Sequence, residues 1–210
     1  MGVDKREHIM NTAVSLFAVN GFEGTSVRDI AAAADVNLAM ISYYFGSKEK
    51  LFESIVDFNA SSTRTMLDEL NSNTDLTSIQ KIEKAIEIYV HRLFNNREFH
   101  KVLQHELMLN QRDELSKAIM NIISKNAGAL SLIIENGIKK KEFRKVDDLL
   151  TVTSLTGTIN SVLSSKKFCR MMFNDASHND DYVPYDDENF RKRVINHLKQ
   201  LMQAHLVKPE

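Results

Sequence analysis

The sequence predicts an all-α protein, and two observations carry that expectation. Only seven glycines and two prolines interrupt 210 residues, so helix-breaking positions are scarce. Between them, apolar residues recur almost throughout at the spacing of one helix face. The expected arrangement is an N-terminal three-helix domain with a tight break between its second and third helices, followed by a C-terminal helical bundle. The division falls after residue 47, giving domains 1–47 and 48–210.

The first helix starts at Asp4, where DKRE has capping-box spacing: Asp4 caps and Glu7 reaches back. Its apolar stripe is Ile9, Ala13, Leu16 and Phe17, and Asn20-Gly21 stops it. The second follows Thr25-Ser26, with Ser26 and Asp29 again at capping-box spacing, and buries Val27, Ile30, Ala31 and Ala34. A break at Asp35-Val36-Asn37 follows, and Asn37 can cap a third helix over 38–45. Gly46 ends that helix and Ser47 caps a fourth, carrying Leu51, Ile55, Phe58, Met66, Leu67 and Leu70. Residues 71–78 form a linker. Longer helices are expected near 78–95, 98–109, 112–138, 147–165 and 187–206, with 166–186 a polar loop able to hold a short helix.

Bulk properties narrow the function classes. At 43% hydrophobic and 26% charged, the chain can bury a core. A net charge of −1 gives no global basic footprint. One cysteine, Cys169, allows no internal disulfide and suits a reducing compartment. No signal peptide is read at the N-terminus, Arg6 stands where myristoylation wants Ser or Thr, and no apolar run is long enough to span a bilayer. A soluble cytoplasmic protein with no membrane partner is expected.

On the third helix, the 100° step puts Ile41 and Phe45 on one face with Leu38 at its edge, while Ala39 and Tyr43 lie opposite. Met40 and Ser42 flank the outer face and Tyr44 borders the buried one. Tyr43 must therefore leave the core. Short helices around a tight break describe a helix-turn-helix.

Residues 8–52 resemble the DNA-binding domain of the tetracycline-repressor (TetR) family. The resemblance is carried by AVSLF (13–17), NGF (20–22), TSVRDIA (25–31), VN (36–37), YF (44–45) and SKEKL (47–51). It implies a regulator that inserts its third helix into the major groove. Asn37, Leu38, Ala39, Met40, Ser42 and Tyr43 would then face base edges or the adjacent backbone. Tyr44 would give its hydroxyl to a phosphate. Thr25 and Ser26 would hold a phosphate at the second helix's N-terminus, Lys48 another at the fourth, and Arg28 is a further contact. The chain departs from the family pattern at Ser42, where a tyrosine is common, and at Asp35, where the turn often has glycine.

The resemblance extends to ENGIKKKEFRKVDDLL (135–150), a helix junction in which the family often has glycine where Lys141 stands, so a differently shaped turn is expected. It implies that the two helices after this junction form a homodimer interface. Their stripes are Val152, Leu155, Ile159 and Val162, then Phe190, Val194, Leu198, Leu201 and His205. It implies too that the middle helices enclose a small-molecule effector, with His91, Phe94, His105, Met108 and Asn160 as candidates. The partners implied are double-stranded operator DNA, a second copy of the chain and an unidentified effector.

Other chemistry finds no support in the residue pattern. HELML (105–109) lacks the second histidine of a zinc-binding H-E-x-x-H, and no E-x-x-H occurs. Cys169 has no local partner suggesting a nucleophile, and no glycine-rich phosphate loop exists. Neither an enzyme nor a cofactor or metal is expected. The reading is a ligand-responsive repressor; a transcriptional activator fits the same residues, and a helical-bundle carrier or enzyme is the competing class.

Residues 1–50 hold Lys5, Arg6, Arg28, Lys48 and Lys50 against Asp4, Glu7, Glu23, Asp29, Asp35 and Glu49. With so few cations, DNA binding should release few counterions. A plot of log K against log salt should be much shallower than a slope of about −10; a slope that steep would contradict this.

Overall fold

In the computed structural model, which describes residues 4–109, 112–173 and 182–208, the described residues form ten α-helices and one 3₁₀ turn, with no strand. The helices are α1 Lys5–Asn20, α2 Val27–Ala33, α3 Leu38–Phe45, α4 Lys48–Ser72, α5 Ser78–Asn95, α6 Arg97–Leu109, α7 Asp113–Lys139, α8 Asp148–Leu163, α9 Lys166–Phe173 and α10 Glu188–Leu206, with the 3₁₀ turn at Pro184–Asp186. The stretch expected to be a polar loop contains α9; its residues 174–181 lie outside the described residues. No described helix is long and apolar enough to cross a membrane.

The chain forms two compact units. The first comprises the described residues of Met1–Ser62 and Asn96–Ser124; the second comprises those of Thr63–Asn95 and Lys125–Glu210. These packing units differ from the 1–47 and 48–210 division, which groups residues by role. Helices α4 and α7 each contribute to both units.

In the first unit, Ile9, Met10, Ala13 and Phe17 of α1 pack with Ile30 and Ala31 of α2, Ile41 and Phe45 of α3, and Leu51, Phe52, Ile55 and Val56 of α4. Helix α6 lies along α1 and adds Phe99, Val102 and Leu103, while α7 adds Leu115, Ile119 and Ile122. The head is thus more than three helices. On α4 the stripe is rotated from expectation: Phe52, Val56 and Ala60 are buried, whereas Phe58 and Met66 are exposed. Leu51, Ile55 and Leu67 are buried as expected, and Leu70 packs partly buried on the second core.

Helix boundaries follow their caps. Asp4 accepts from the Arg6 N–H at 3.0 Å, so its contact falls two residues on rather than in the box expected with Glu7. Ser26 and Asp29 form the expected capping box. Asn37 Oδ1 accepts from Ala39 N–H at 2.9 Å, and Ser47 Oγ from Lys50 N–H at 3.1 Å. Between those caps Gly46, at φ +82°, makes the left-handed step from α3 into α4.

Two further left-handed positions are not glycine. Asp35 sits at φ +50° and Lys141 at φ +62°. Around Asp35, its N–H donates to Ala32 C=O and that of Val36 to Ala31 C=O. Around Lys141, its N–H donates to Ile138 C=O and that of Glu142 to Gly137 C=O. Both are Schellman closures, which usually place glycine at this position. The α7 turn therefore keeps the shape that glycine would give it, against the expectation of a different one, and Lys141 bears the strain. Next to it Phe143 folds back so closely that a Cβ at Gly137 would meet its ring at 2.3 Å.

In the second unit α10 lies along α5. Their core joins Ile82, Ile86, Val90 and Phe94 to Val152, Leu155 and Ile159 of α8 and Phe190, Val194 and Leu198 of α10. These six α8 and α10 residues are expected to meet a partner subunit; they are instead buried within their own chain, where α5 packs against both helices. Val162 packs partly buried on the same core. His205 turns to Thr151, with Nε2 3.1 Å from Oγ1. Only Leu201 of that list remains exposed.

Glycine should relieve Lys141. A left-handed conformation costs an L-residue roughly 1–2 kcal/mol, partly offset by glycine's backbone entropy of roughly 0.5–1 kcal/mol. Lys141→Gly should therefore stabilise by about 0.5–1 kcal/mol and raise the melting temperature by about 1–4 °C. Thermal unfolding measures this, and a lowered midpoint would show that the lysine side chain itself holds the turn.

Candidate nucleic-acid interface

Helix α3 is too short to be stable alone. It is held because Ile41 and Phe45, one turn apart, are buried in the first unit's core. Asn37 caps one end and Gly46 closes the other. With that face fixed, Ala39, Ser42 and Tyr43 are exposed, Met40 is half-buried, and Leu38 stands at the edge with 38% exposure. Tyr43 is 82% exposed. Its ring meets that of the half-buried Tyr44 edge-on, centroids 5.3 Å apart, and Tyr44 in turn lies 6.2 Å from Phe45. His8 Nε2 lies 3.1 Å from the Ala34 carbonyl. A carbonyl can only accept, so this nitrogen carries the proton and ties α1 to the end of α2.

Two expected phosphate contacts have other work. Thr25 is fully buried, and its hydroxyl donates to the carbonyls of Gly21 (2.9 Å) and Leu16 (3.3 Å). It closes the α1–α2 loop and is not available to DNA. Lys48 points inward: Nζ donates to the carbonyls of Phe22 (2.9 Å) and Thr25 (3.0 Å) and stands 4.4 Å from the Phe22 ring centroid. It pins the same loop to α4.

Ser26 is exposed, but its hydroxyl and N–H both donate to Asp29 Oδ2, at 2.6 and 2.8 Å. These bonds hold the Asp29 carboxyl below the ordinary carboxylate range. An anionic oxygen already sits at the start of α2, which disfavours a phosphate there. Arg28 is exposed and remains available.

The loop has a second clamp that the sequence did not reveal. Arg112 forms ion pairs with Glu23 and with Glu106, the latter at 2.8 Å, and its guanidinium lies 4.6 Å from the Phe22 centroid. Phe22 also packs on Phe17 and Phe52, centroids 5.1 and 5.4 Å away. Glu106 is buried. Burial pushes its carboxyl up, while the charges of His105 and Lys48 pull it down. The loop between α1 and α2 is thus fixed to α4, α6 and α7 through one aromatic ring and two cations.

The effector candidates are distributed over both units. Phe94 is buried in an aromatic cluster with Tyr185 and Phe190. His91 is exposed, with Nδ1 3.4 Å from Arg191 Nη1. Asn160 is half-buried on α8. His105 and Met108 are exposed on α6, in the other unit. An open groove of about 740 Å³ lies elsewhere, lined by Lys166, Lys167, Arg170 and Met171 of α9, none of them a candidate.

A short surface helix, rotated by two buried anchors and preceded by a tight turn, defines a helix-turn-helix DNA-binding protein. Residues 9–55 match the family model described as bacterial regulatory proteins, tetR family. A Bacillus subtilis protein named "Probable HTH-type transcriptional regulator YttP" is 35% identical over 146 residues, 68% of this chain and 69% of its own length. The HTH-type transcriptional repressor NicS of Pseudomonas putida is 32% identical over 150 residues, 69% of this chain and 67% of its own. The solved structure of the transcriptional regulator FadR from Bacillus subtilis in complex with stearoyl-CoA superposes with a TM-score of 0.71 at 23% identity, over 91% of this chain and 96% of that one. At that identity it shows a shared fold. The chain belongs to the TetR family of DNA-binding transcriptional regulators.

Lys48→Met separates the loop-pinning role from phosphate contact. Two carbonyls lose a charged donor, so the head should be destabilised by about 1–3 kcal/mol, read as a lower thermal midpoint without DNA. An unchanged midpoint would return Lys48 to the DNA surface.

Proposed function

We propose that this chain is a ligand-responsive repressor acting in the cytoplasm as a homodimer on a near-palindromic operator. It works as a regulator and not as an enzyme. The observation that carries this is the outer face of α3. A tyrosine 82% exposed, beside exposed Ala39 and Ser42, is costly surface that the major groove would cover. Arg28 and the Tyr44 hydroxyl would set register on the backbone, and Asn37, Leu38, Ala39, Met40, Ser42 and Tyr43 would face base edges or the adjacent backbone. Residues 1–47 thus carry the reading role and 48–210 the effector and pairing roles.

Pairing two reading heads multiplies affinity and specificity. Since the expected stripes are spent inside the chain, a different surface must serve. On α8, Leu150, Thr153, Ser154, Gly157 and Ser161 share one exposed face at helical spacing, with Leu149 beside it. Exposed Leu201 and Ala204 offer a matching face on α10. Small residues there let two helices approach closely.

The effector would be a small molecule held by the second unit, as stearoyl-CoA is bound by the FadR neighbour; its chemistry here is open. Helices α4 and α7 contribute residues to both units, so they are the continuous elements through which occupancy would bias the heads. Changing the distance between heads by a few ångströms would break their match to half-sites about one helical turn apart.

Selection of bound fragments from the source genome should recover a near-palindromic site. Tyr43→Ala should then weaken binding about tenfold or more while shifting stability by no more than about 0.5 kcal/mol, since the side chain is exposed. Undiminished binding to the selected site would remove α3 as the reader.

A further inference from the structure

Resting on that DNA-reading assignment, we infer that α3 selects its half-site through thymine methyl groups rather than through hydrogen bonds to guanine. The segment Leu38–Phe45 reads LAMISYYF. It contains no Arg, Lys, Asn, Gln, Asp or Glu. The two-pronged contacts that distinguish bases in the major groove are Arg or Lys to guanine O6 and N7, and Asn or Gln to adenine N6 and N7. None can be made from this helix.

Neighbouring residues do not replace them. Asn37 comes nearest, but its Oδ1 is held at 2.9 Å by the Ala39 N–H. An amide fixed across the helix end cannot also lie flat along an adenine edge. Lys48 is turned inward onto two carbonyls. Lys50 is paired with Glu53 at 2.7 Å. Arg28 stands on α2, ahead of the turn.

The groove-facing surface is instead apolar. It consists of the Ala39 methyl, the Met40 thioether, the Tyr43 ring and the exposed edge of Leu38. The thymine C5-methyl is the apolar feature that the major groove offers. A·T and G·C pairs each present three polar groups in the major groove, so the thymine methyl is the feature by which this apolar surface can tell them apart. The hydroxyls of Ser42 and Tyr43 both donate and accept, so they add contact with little discrimination.

The test uses the full-length protein and the operator recovered by genomic selection. Each thymine within a half-site is replaced in turn by deoxyuridine, which keeps every hydrogen-bonding group and removes only the methyl. Affinity should fall about fourfold for each contacted thymine, the penalty should shrink in Met40→Ala at the position beneath that side chain, and the salt slope should stay constant. Half-sites fixed at G·C pairs, or full affinity on uracil-substituted DNA, would overturn methyl reading while leaving the DNA-reading assignment intact. Failure to prefer any sequence over bulk DNA would overturn both.

Discussion

The rotational setting of α3 is the constraint on which the rest of the reading surface depends. Ile41 and Phe45 go into the core of the first unit, and every other side chain of the helix is then placed by the 100° step. Tyr43 is exposed because Phe45 is not. A slip of one residue would put Met40 and Tyr44 where Ile41 and Phe45 now stand and turn both anchors away from the core. The caps at Asn37 and Gly46 and the Schellman turn at Asp35 fix where the helix begins and ends. The anchors determine which side faces outward.

That setting has to be rigid to be useful, and the rigidity comes from outside the three N-terminal helices. Phe22 receives Lys48 from α4 and Arg112 from the start of α7, while its ring packs tilted on Phe17 and edge-on with Phe52. Arg112 is balanced by Glu106 of α6 and Glu23 of the loop. Two of the head's scarce cations are therefore spent on internal order: Lys48 on carbonyls and Arg112 on carboxylates. This gives a physical reason for the low positive charge on the outside of the head.

Local signals were legible in the sequence and tertiary ones were not. Helix limits, the Ser26–Asp29 box, the Asn37 cap and the outward turn of Tyr43 depend on residues within a few positions of one another, and the structure reproduces them. Thr25 and Lys48 sit in motif positions that suggest phosphate contact. Their true partners are backbone carbonyls brought close only by folding, 26 residues away in the case of Phe22 and Lys48. The Arg112 clamp was hidden for the same reason. The stripes of α8 and α10 carried another ambiguity. Periodicity shows that a face is covered, and it cannot say whether the cover is the same chain or another; here α5 supplies it for α10. Asp35 and Lys141 stand where the family often has glycine, yet the main chain takes the left-handed turn at both.

Photo-cross-linking from the outer face of α3 tests this arrangement most directly. A photo-activatable phenylalanine analogue at position 43 replaces an exposed aromatic ring with another, so the head should fold unchanged. On the selected operator it should cross-link to bases within each half-site, while the same group at the equally exposed Val19 of α1 should not. Cross-links from position 19 with none from position 43 would mean that α3 does not face the groove, and the setting of Ile41 and Phe45 would then serve packing alone.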